Sequence, residues 1–338
     1  MGDTDMEMAT AAKTDAGKSG RMVGRVYRLI TQTSIIGILI TLIVECVILS
    51  FLSPYFLSPR NFLNVMRSIS LTGIVAVGMT MIIISGGLDL SIGSVIGLGG
   101  IVTAYALTNL GLSLPFALAL GIASGALVGL AISLLVTKLS INSFIVTLGF
   151  LSVCRGLVYI FSTGANIKVT NPLVIWLGQG KVWGVPVPVL IMIGFVIIGS
   201  LFLKYTVTGR FVYAVGGNER SARLSGVNVE RIRMFVFILT SSLAAFSGVV
   251  LIGKLGTAEV ISGTGSEIDV IAAVIIGGTS LAGGRGTIVG SIVGAAIIGI
   301  LKNGFILLGL PIAAQTIGIG IVVILSVMID SIRTRRTV

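Results

Sequence analysis

Residues 35–52 read IIGILITLIVECVILSFL, and residues 190–203 read LIMIGFVIIGSLFL; Glu45 is the one ionised side chain in the two runs together. A helix rises about 1.5 Å per residue, so about 20 such residues cross the ~30 Å hydrocarbon core of a bilayer. Similar runs recur along most of the chain, and the whole composition follows them. Of 338 residues, 55% are hydrophobic and 10% are charged, with a mean hydropathy of +1.10. A soluble domain carries about 25% charged residues. These values exclude a soluble enzyme and predict an all-α polytopic membrane protein. The chain has no histidine, which removes imidazole from catalysis and metal binding, and no cofactor or metal site is expected. Cys46 and Cys154 both lie inside apolar runs, where they pack rather than form a disulfide framework.

Apolar runs between polar breaks predict ten spans: 30–52, 69–85, 90–110, 114–137, 143–161, 187–203, 234–255, 268–281, 287–308 and 312–329. The second and the eighth are short enough to be partly re-entrant. Pro59, Pro115, Pro172, Pro186, Pro188 and Pro311 fall at or near span ends, where helices start and stop. Lys and Arg set the orientation. With both termini cytoplasmic, sixteen of the 23 basic residues lie inside, five (Arg60, Arg67, Lys168, Lys181 and Lys254) lie outside, and Arg155 and Lys302 lie within spans. The net charge of +11 is thereby explained by topology, with no nucleic-acid partner. The domain plan is a disordered cytoplasmic tail over 1–29, a permease domain over 30–330 holding a long cytoplasmic loop at 205–233, and a basic cytoplasmic tail over 331–338.

Glycine is abundant, at 46 residues, and it lacks the three-residue period of collagen. Within apolar helices it lets backbones approach closely. Gly121, Gly125 and Gly129 recur at four-residue spacing in the fourth span, and Gly286, Gly290 and Gly294 do so in the ninth. Equivalence of those spans makes a repeat of five. An odd number of spans inverts the second half, which is a transporter signature.

Two stretches imitate a phosphate-binding loop, residues 12–19 and 248–255. Neither follows a buried strand, so neither binds nucleotide and the chain hydrolyses no ATP by itself. Two other stretches are helix breaks. In the first, Ser85, Gly86, Gly87, Asp89, Ser91 and Gly93 join the second and third spans, and Asp89 is placed either to accept from the first free N–H groups of a helix or to meet substrate. In the second, Gly277, Gly278, Gly283, Gly284, Arg285 and Gly286 separate the eighth and ninth spans. Broken helices in lipid need their freed polar groups to face protein or water, and so line cavities. In the loop 205–233, Asn218 suits an N-cap, Glu219 a first turn and Gly226 a stop, which predicts a short surface helix carrying Arg220, Arg223 and Leu224.

These three motifs, in this order, resemble the membrane permease of ribose-type sugar ABC importers, over roughly 54–330. The resemblance implies a second permease subunit (the same chain or a paralogue), a cytoplasmic ATP-binding subunit, and a periplasmic or lipid-anchored sugar-binding protein. It also implies a bacterial inner-membrane location. Under it the segment 219–226 matches the coupling helix that sits in a cleft of the ATPase, although Glu219-Arg220-Ser221 stands where the family usually has Glu-Ala-Ala. Candidate pathway-lining residues are Ser85, Ser91, Ser94, Asn142, Thr147, Asn303 and Gln315, each of which could equally make interhelical hydrogen bonds. The rival reading is an ion-coupled secondary transporter or channel for a small polar solute, which would place ionisable groups deep in the membrane. The deep groups are Glu45, Arg155 and Lys302, with Asp89, Glu267 and Asp269 near span ends, and they form no carboxylate cluster.

Overall fold

The computed structural model describes residues 34–335 and is helical through about three quarters of them. In chain order the helices are α1 (Ser34–Leu52), α2 (Pro59–Ile84), α3 (Ile92–Thr108), α4 (Leu114–Lys138), α5 (Ser143–Ser162), α6 (Pro172–Gln179), α7 (Val187–Tyr205), α8 (Val207–Gly217), α9 (Glu219–Leu224), α10 (Val229–Leu255), α11 (Ser266–Ile276), α12 (Ile288–Leu307) and α13 (Ile312–Arg335). Four two-residue strands make two small pairs: β1 (Ile167–Lys168) with β4 (Thr257–Ala258), and β2 (Lys181–Val182) with β3 (Val185–Pro186).

Each of the ten expected spans overlaps a helix among the described residues, the eighth only over 268–276. Six helices are long and apolar enough to cross a membrane: α2, α4, α5, α7, α10 and α12. Shorter apolar helices cover Ile36–Leu52, Ile92–Thr108 and Ile312–Leu325. The expectation that the second span is short and re-entrant does not hold. α2 has 26 residues, beginning at Pro59 instead of residue 69. Two side chains of its polar first turns, Asn61 and Arg67, find partners distant in sequence: the Asn61 and Asn303 amides exchange hydrogen bonds of 2.7 and 3.0 Å, and Arg67 donates to the Gln179 carbonyl. The eighth span is short as expected, since α11 has 11 residues. The expected disordered tail 1–29, which includes the phosphate-loop mimic at 12–19, lies outside the described residues. The other mimic, at 248–255, is continuous helix within α10. At the other end, α13 runs past residue 330 to Arg335.

The core sits where α2, α3 and α10 meet. From Gly73 to Ile84 every residue of α2 is buried, and so is nearly all of α3. A helix that is apolar all round must be covered all round. α10 lies between α3, α4 and α2, the α4 contact being the most extensive.

The glycine triplets are where backbones touch. A Cβ on Gly121 would meet Gly99 and Thr103 of α3, while on Gly125 or Gly129 it would run into the main chain of α10 at Ser241 and Phe237. In the second half, Gly290 and Gly294 of α12 lie on the main chain of α11 and its C-terminus, at Gly277 and Ala273. Gly121 thus packs on α3 as Gly290 and Gly294 pack on α11, while Gly125 and Gly129 pack on α10.

Candidate functional site: the junction of two helix breaks and a surface helix

The first break opens where α2 ends. Gly86 takes a φ of +80°, a left-handed conformation open to glycine, and lets the chain leave the helix. The chain then runs through Asp89, whose Oδ1 accepts from the Ser91 N–H at 2.8 Å and the Ser91 hydroxyl at 2.6 Å. Asp89 therefore closes the turn just ahead of α3, while Ser91 takes the N-cap position. The carboxylate is fully buried, and its Oδ2 has no hydrogen-bond partner among the described residues. Gly93 follows in the first turn of α3, where a Cβ would collide with Glu267 and the Gly263 carbonyl.

The second break docks onto the first. The Gly284 N–H donates to the carbonyl of Ile84, the last residue of α2, at 2.8 Å. Gly278, Gly283 and Gly284 all hold positive φ, and Gly277 lies against Gly290 and Ser291 of α12 with no room for a side chain. Arg285 points outward and is exposed.

The loop helices close this junction. α8, within the segment that the sequence reads as loop, ends at Gly216 and Gly217. A Cβ on Gly216 would strike the Ile84 carbonyl, and Gly283 and Gly284 pack directly on the same glycine pair. The Tyr213 hydroxyl, on α8, donates to the Gly286 carbonyl at 2.9 Å. Immediately after, Asn218 caps α9 by accepting from the Ser221 N–H at 2.8 Å, and Gly226 ends it at φ +84°. The predicted surface helix is thus present, with its predicted cap and stop. It is fastened by Ala222, which is buried, and by Glu219, whose carboxylate meets Arg233 of α10 at 2.7 Å and Arg223 at 3.3 Å. Partial burial pushes the Glu219 carboxyl up, but the Arg233 charge and the bonds from Arg223 and Arg233 hold it below the usual carboxylate range. Arg220 and Leu224 are exposed, Leu224 at 82%, while Arg223 is exposed but turns its guanidinium onto Glu219.

Between α9 and the first break lies a polar cavity of about 370 Å³, lined by Gly86, Gly87, Asn142, Ser143, Glu219, Arg223 and Arg233 among others. The α4–α5 turn forms one wall, where Asn142 caps α5 through a 2.9 Å bond from the Phe144 N–H. Lys138, ending α4, pairs with Glu230 of α10 at 2.7 Å. Among the candidate lining residues, Asn142 alone borders this cavity. Ser85, Ser94 and Thr147 are buried, with the Ser85 and Thr147 hydroxyls bonded to Ile82 and Ser143 carbonyls of their own helices. Asn303 is occupied by Asn61 at the other end of α2, and Gln315 donates to Leu310.

The deep charges have local explanations in two cases of three. Arg155 donates to the Val260 and Ser262 carbonyls, both at 3.0 Å, tying α5 to the segment before α11. Lys302 of α12 pairs with Asp269 of α11. Glu45 faces an apolar groove between α1, α12 and α13, and both its carboxylate oxygens lack a partner among the described residues. Arg233 is a contact that the motifs alone do not reveal, whereas Tyr213 opens the stretch 213–219 that carries the family resemblance and gains its partner only in the fold. An aromatic residue four before the second glycine of the Gly-Gly pair and a basic residue in the first turns of α10 are the available signals.

Comparison with known proteins places this arrangement. Residues 61–327 match the family described as "Branched-chain amino acid transport system / permease component". The ribose import permease RbsC of Escherichia coli K12 is 40% identical over 298 residues, covering 87% of this chain and 92% of that protein. RbsC of Bacillus subtilis is 39% identical over 297 residues, with 87% and 92% covered. The L-arabinose ABC transporter permease AraH of Azospirillum brasilense is 35% identical over 314 residues, covering 93% and 91%. No solved structure matches the chain. Span, identity and apolar helices together make the chain a member of this ABC-importer permease family, a multi-pass protein of the bacterial inner membrane.

Proposed function

We propose that the chain is the translocating subunit of an ABC importer for a sugar, a ribose-like monosaccharide in the first place. The sugar is handed over by an extracytoplasmic binding protein, and ATP hydrolysis on a separate cytoplasmic subunit supplies the work. The observation that carries this reading is the convergence of the three motifs: Gly284 on Ile84, Tyr213 on Gly286, and Glu219 on Arg233. A surface helix fastened to α10 and joined through α8 to two helix breaks can pass a displacement from an outside partner into α2, α3 and α12 at once. The names of the relatives, ribose and L-arabinose permeases, support the substrate class.

In this reading both termini and the segment 205–233 are cytoplasmic, and the ten helical segments form an inverted repeat of five spans. The packing of Gly121 of α4 on α3, beside that of Gly290 and Gly294 of α12 on α11, supports that repeat. α9 is the coupling helix, with Arg220, Arg223 and Leu224 presented to the ATPase. Two permease subunits, identical or paralogous, enclose the path, and ATP binding rocks them between outward-open and inward-open forms. Selectivity rests mainly with the binding protein, so the path itself needs only weak polar contacts.

Uptake energetics test the reading. Labelled sugar should enter cells carrying the system when a protonophore is present and ATP is maintained, and entry should stop with vanadate. The reverse pattern sinks the ABC assignment in favour of ion coupling. A fluorescent protein fused after Val338 should lie on the cytoplasmic side.

A further inference from the structure

The opposite end of the bundle carries a second built feature. After α6 the chain forms the β2–β3 hairpin, with Val182 paired to Val185, so Trp183 and Gly184 make a two-residue turn. Their φ values are +50° and +81°. A turn with positive φ at both positions favours Asn-Gly, and a bulky aromatic residue at the first is strained. The strain gains nothing in packing, because Trp183 is 100% exposed. Backbone outliers of this kind collect at sites of function.

The hairpin is held firmly. Its ends are joined by a 3.0 Å bond from the Val187 N–H to the Gly180 carbonyl. Just before it, the Gln179 carbonyl accepts from Arg67 Nη2 of α2 at 3.0 Å, and the Gln179 amide donates to the Lys254 carbonyl of α10 at 3.0 Å. Lys254 Nζ then donates to Ser68 of α2 at 2.9 Å. Arg67 and Lys254 are therefore neighbours on one small network, with exposed Lys181 two residues beyond Gln179. None of the three has an ion pair with a carboxylate among the described residues. Arg67 Nε is buried and has no hydrogen-bond partner there.

The two helices clamped by this network are those that reach the motif junction. α2 ends in the Ile84 carbonyl that receives Gly284, and the first turns of α10 carry Arg233, which holds the surface helix. A partner seated on the hairpin thus bears on the same two rods as a partner seated on α9.

We propose that the β2–β3 hairpin is the docking contact for the extracytoplasmic sugar-binding protein, with the Trp183 indole entering an apolar recess of that protein and Lys181, backed by Arg67 and Lys254, facing its carboxylates. This rests on the importer reading above. A fluid headgroup layer accepts an indole from any helix flank and requires neither a strained turn nor a cation set fixed by hydrogen bonds. A folded partner requires both to be in one place.

The test uses the permease–ATPase complex in nanodiscs with the sugar-binding protein encoded at the same locus. Trp183→Ala and Lys181→Glu should each raise the binding-protein concentration for half-maximal stimulation of ATP hydrolysis at least tenfold, with basal hydrolysis unchanged. Unchanged half-saturation in both variants overturns the docking site. With Trp176→Phe leaving Trp183 as the single tryptophan of the permease, its emission should shift to the blue when binding protein is added. Quenching by brominated lipid before the protein is added would instead make Trp183 a lipid anchor and also overturn the proposal. Failure of the wild-type complex to respond to the binding protein would count against the importer reading itself, while the fluorescence arm would still decide the place of the indole.

Discussion

Gly284 donates its N–H to the carbonyl of Ile84 over 2.8 Å, joining two helix breaks that lie 200 residues apart in the chain. Gly216 fits against that same carbonyl, with no room for a side chain. Gly216→Val should therefore force α8 away from the junction. Overpacking costs about 1–3 kcal/mol, too little to unfold a bundle of this size but enough to spread a backbone contact. Sugar uptake should fall by at least tenfold while the protein inserts and accumulates normally. Equal uptake by wild type and variant in vesicles matched for protein would show that this contact carries no motion.

Glu219 fastens the surface helix to Arg233, and the pH behaviour follows from its lowered pKa. A carboxyl held below its ordinary value, about 4.3, contributes fully above that value and is lost as pH falls through the lower, folded one. The pair is partly exposed, so its contribution is at most about 1 kcal/mol. Amide exchange in residues 219–224 should accelerate only in the acid range. In Glu219→Gln it should be faster at neutral pH, with no further step on acidification. A step of the same size in the variant would assign the effect to another group.

Tyr213→Phe deletes the hydroxyl that reaches Gly286 and leaves the packing of the ring in place. One neutral hydrogen bond is worth about 1 kcal/mol. Melting should drop by a few degrees at most, while the sugar carried per ATP hydrolysed should fall clearly. A parallel loss of uptake and ATPase, with their ratio intact, would leave Tyr213 as a stabilising residue only.

The Asn61–Asn303 pair makes a prediction about stability alone. Replacing Asn303 by Leu leaves the Asn61 Oδ1 without its donor while Nδ2 keeps the Phe56 carbonyl, at a cost of about 1–3 kcal/mol. Replacing both by Leu removes the orphan and should recover most of the loss. Thermal melting of the single and double variants in one detergent measures the coupling. Additive losses would show that the two amides act independently.

The parts of the fold that are legible in sequence are those set by local physics. Asn218 and Gly226 mark the limits of α9, and the glycine pairs at 86–87 and 283–284 mark both breaks. The parts that are not legible depend on distant partners. Asn61 and Arg67 read as loop because their nearby partners, the Phe56 carbonyl and the Asn64 side chain, satisfy them only in part; Asn303 and the Gln179 carbonyl, 242 and 112 residues further on, complete the set. α6 and α8 escape because each is shorter than a span and is held in place by packing. Among the candidate site residues, the end of the first break, Gly283 and Gly284 of the second and the start of the surface helix lie at one junction, whereas Gly93 packs on Glu267 and the Gly263 carbonyl. Those chosen simply as polar groups in apolar runs, such as Ser85 and Thr147, bond to their own helices.

The junction of Gly216, Gly283 and Gly284 has a further consequence. Surfaces made of side chains freeze rotamers each time they close, which costs up to about 2 kcal/mol for a long residue. A joint made of bare main chain has no rotamers to freeze. In the importer mechanism proposed above, such a joint parts and re-forms without that entropic toll.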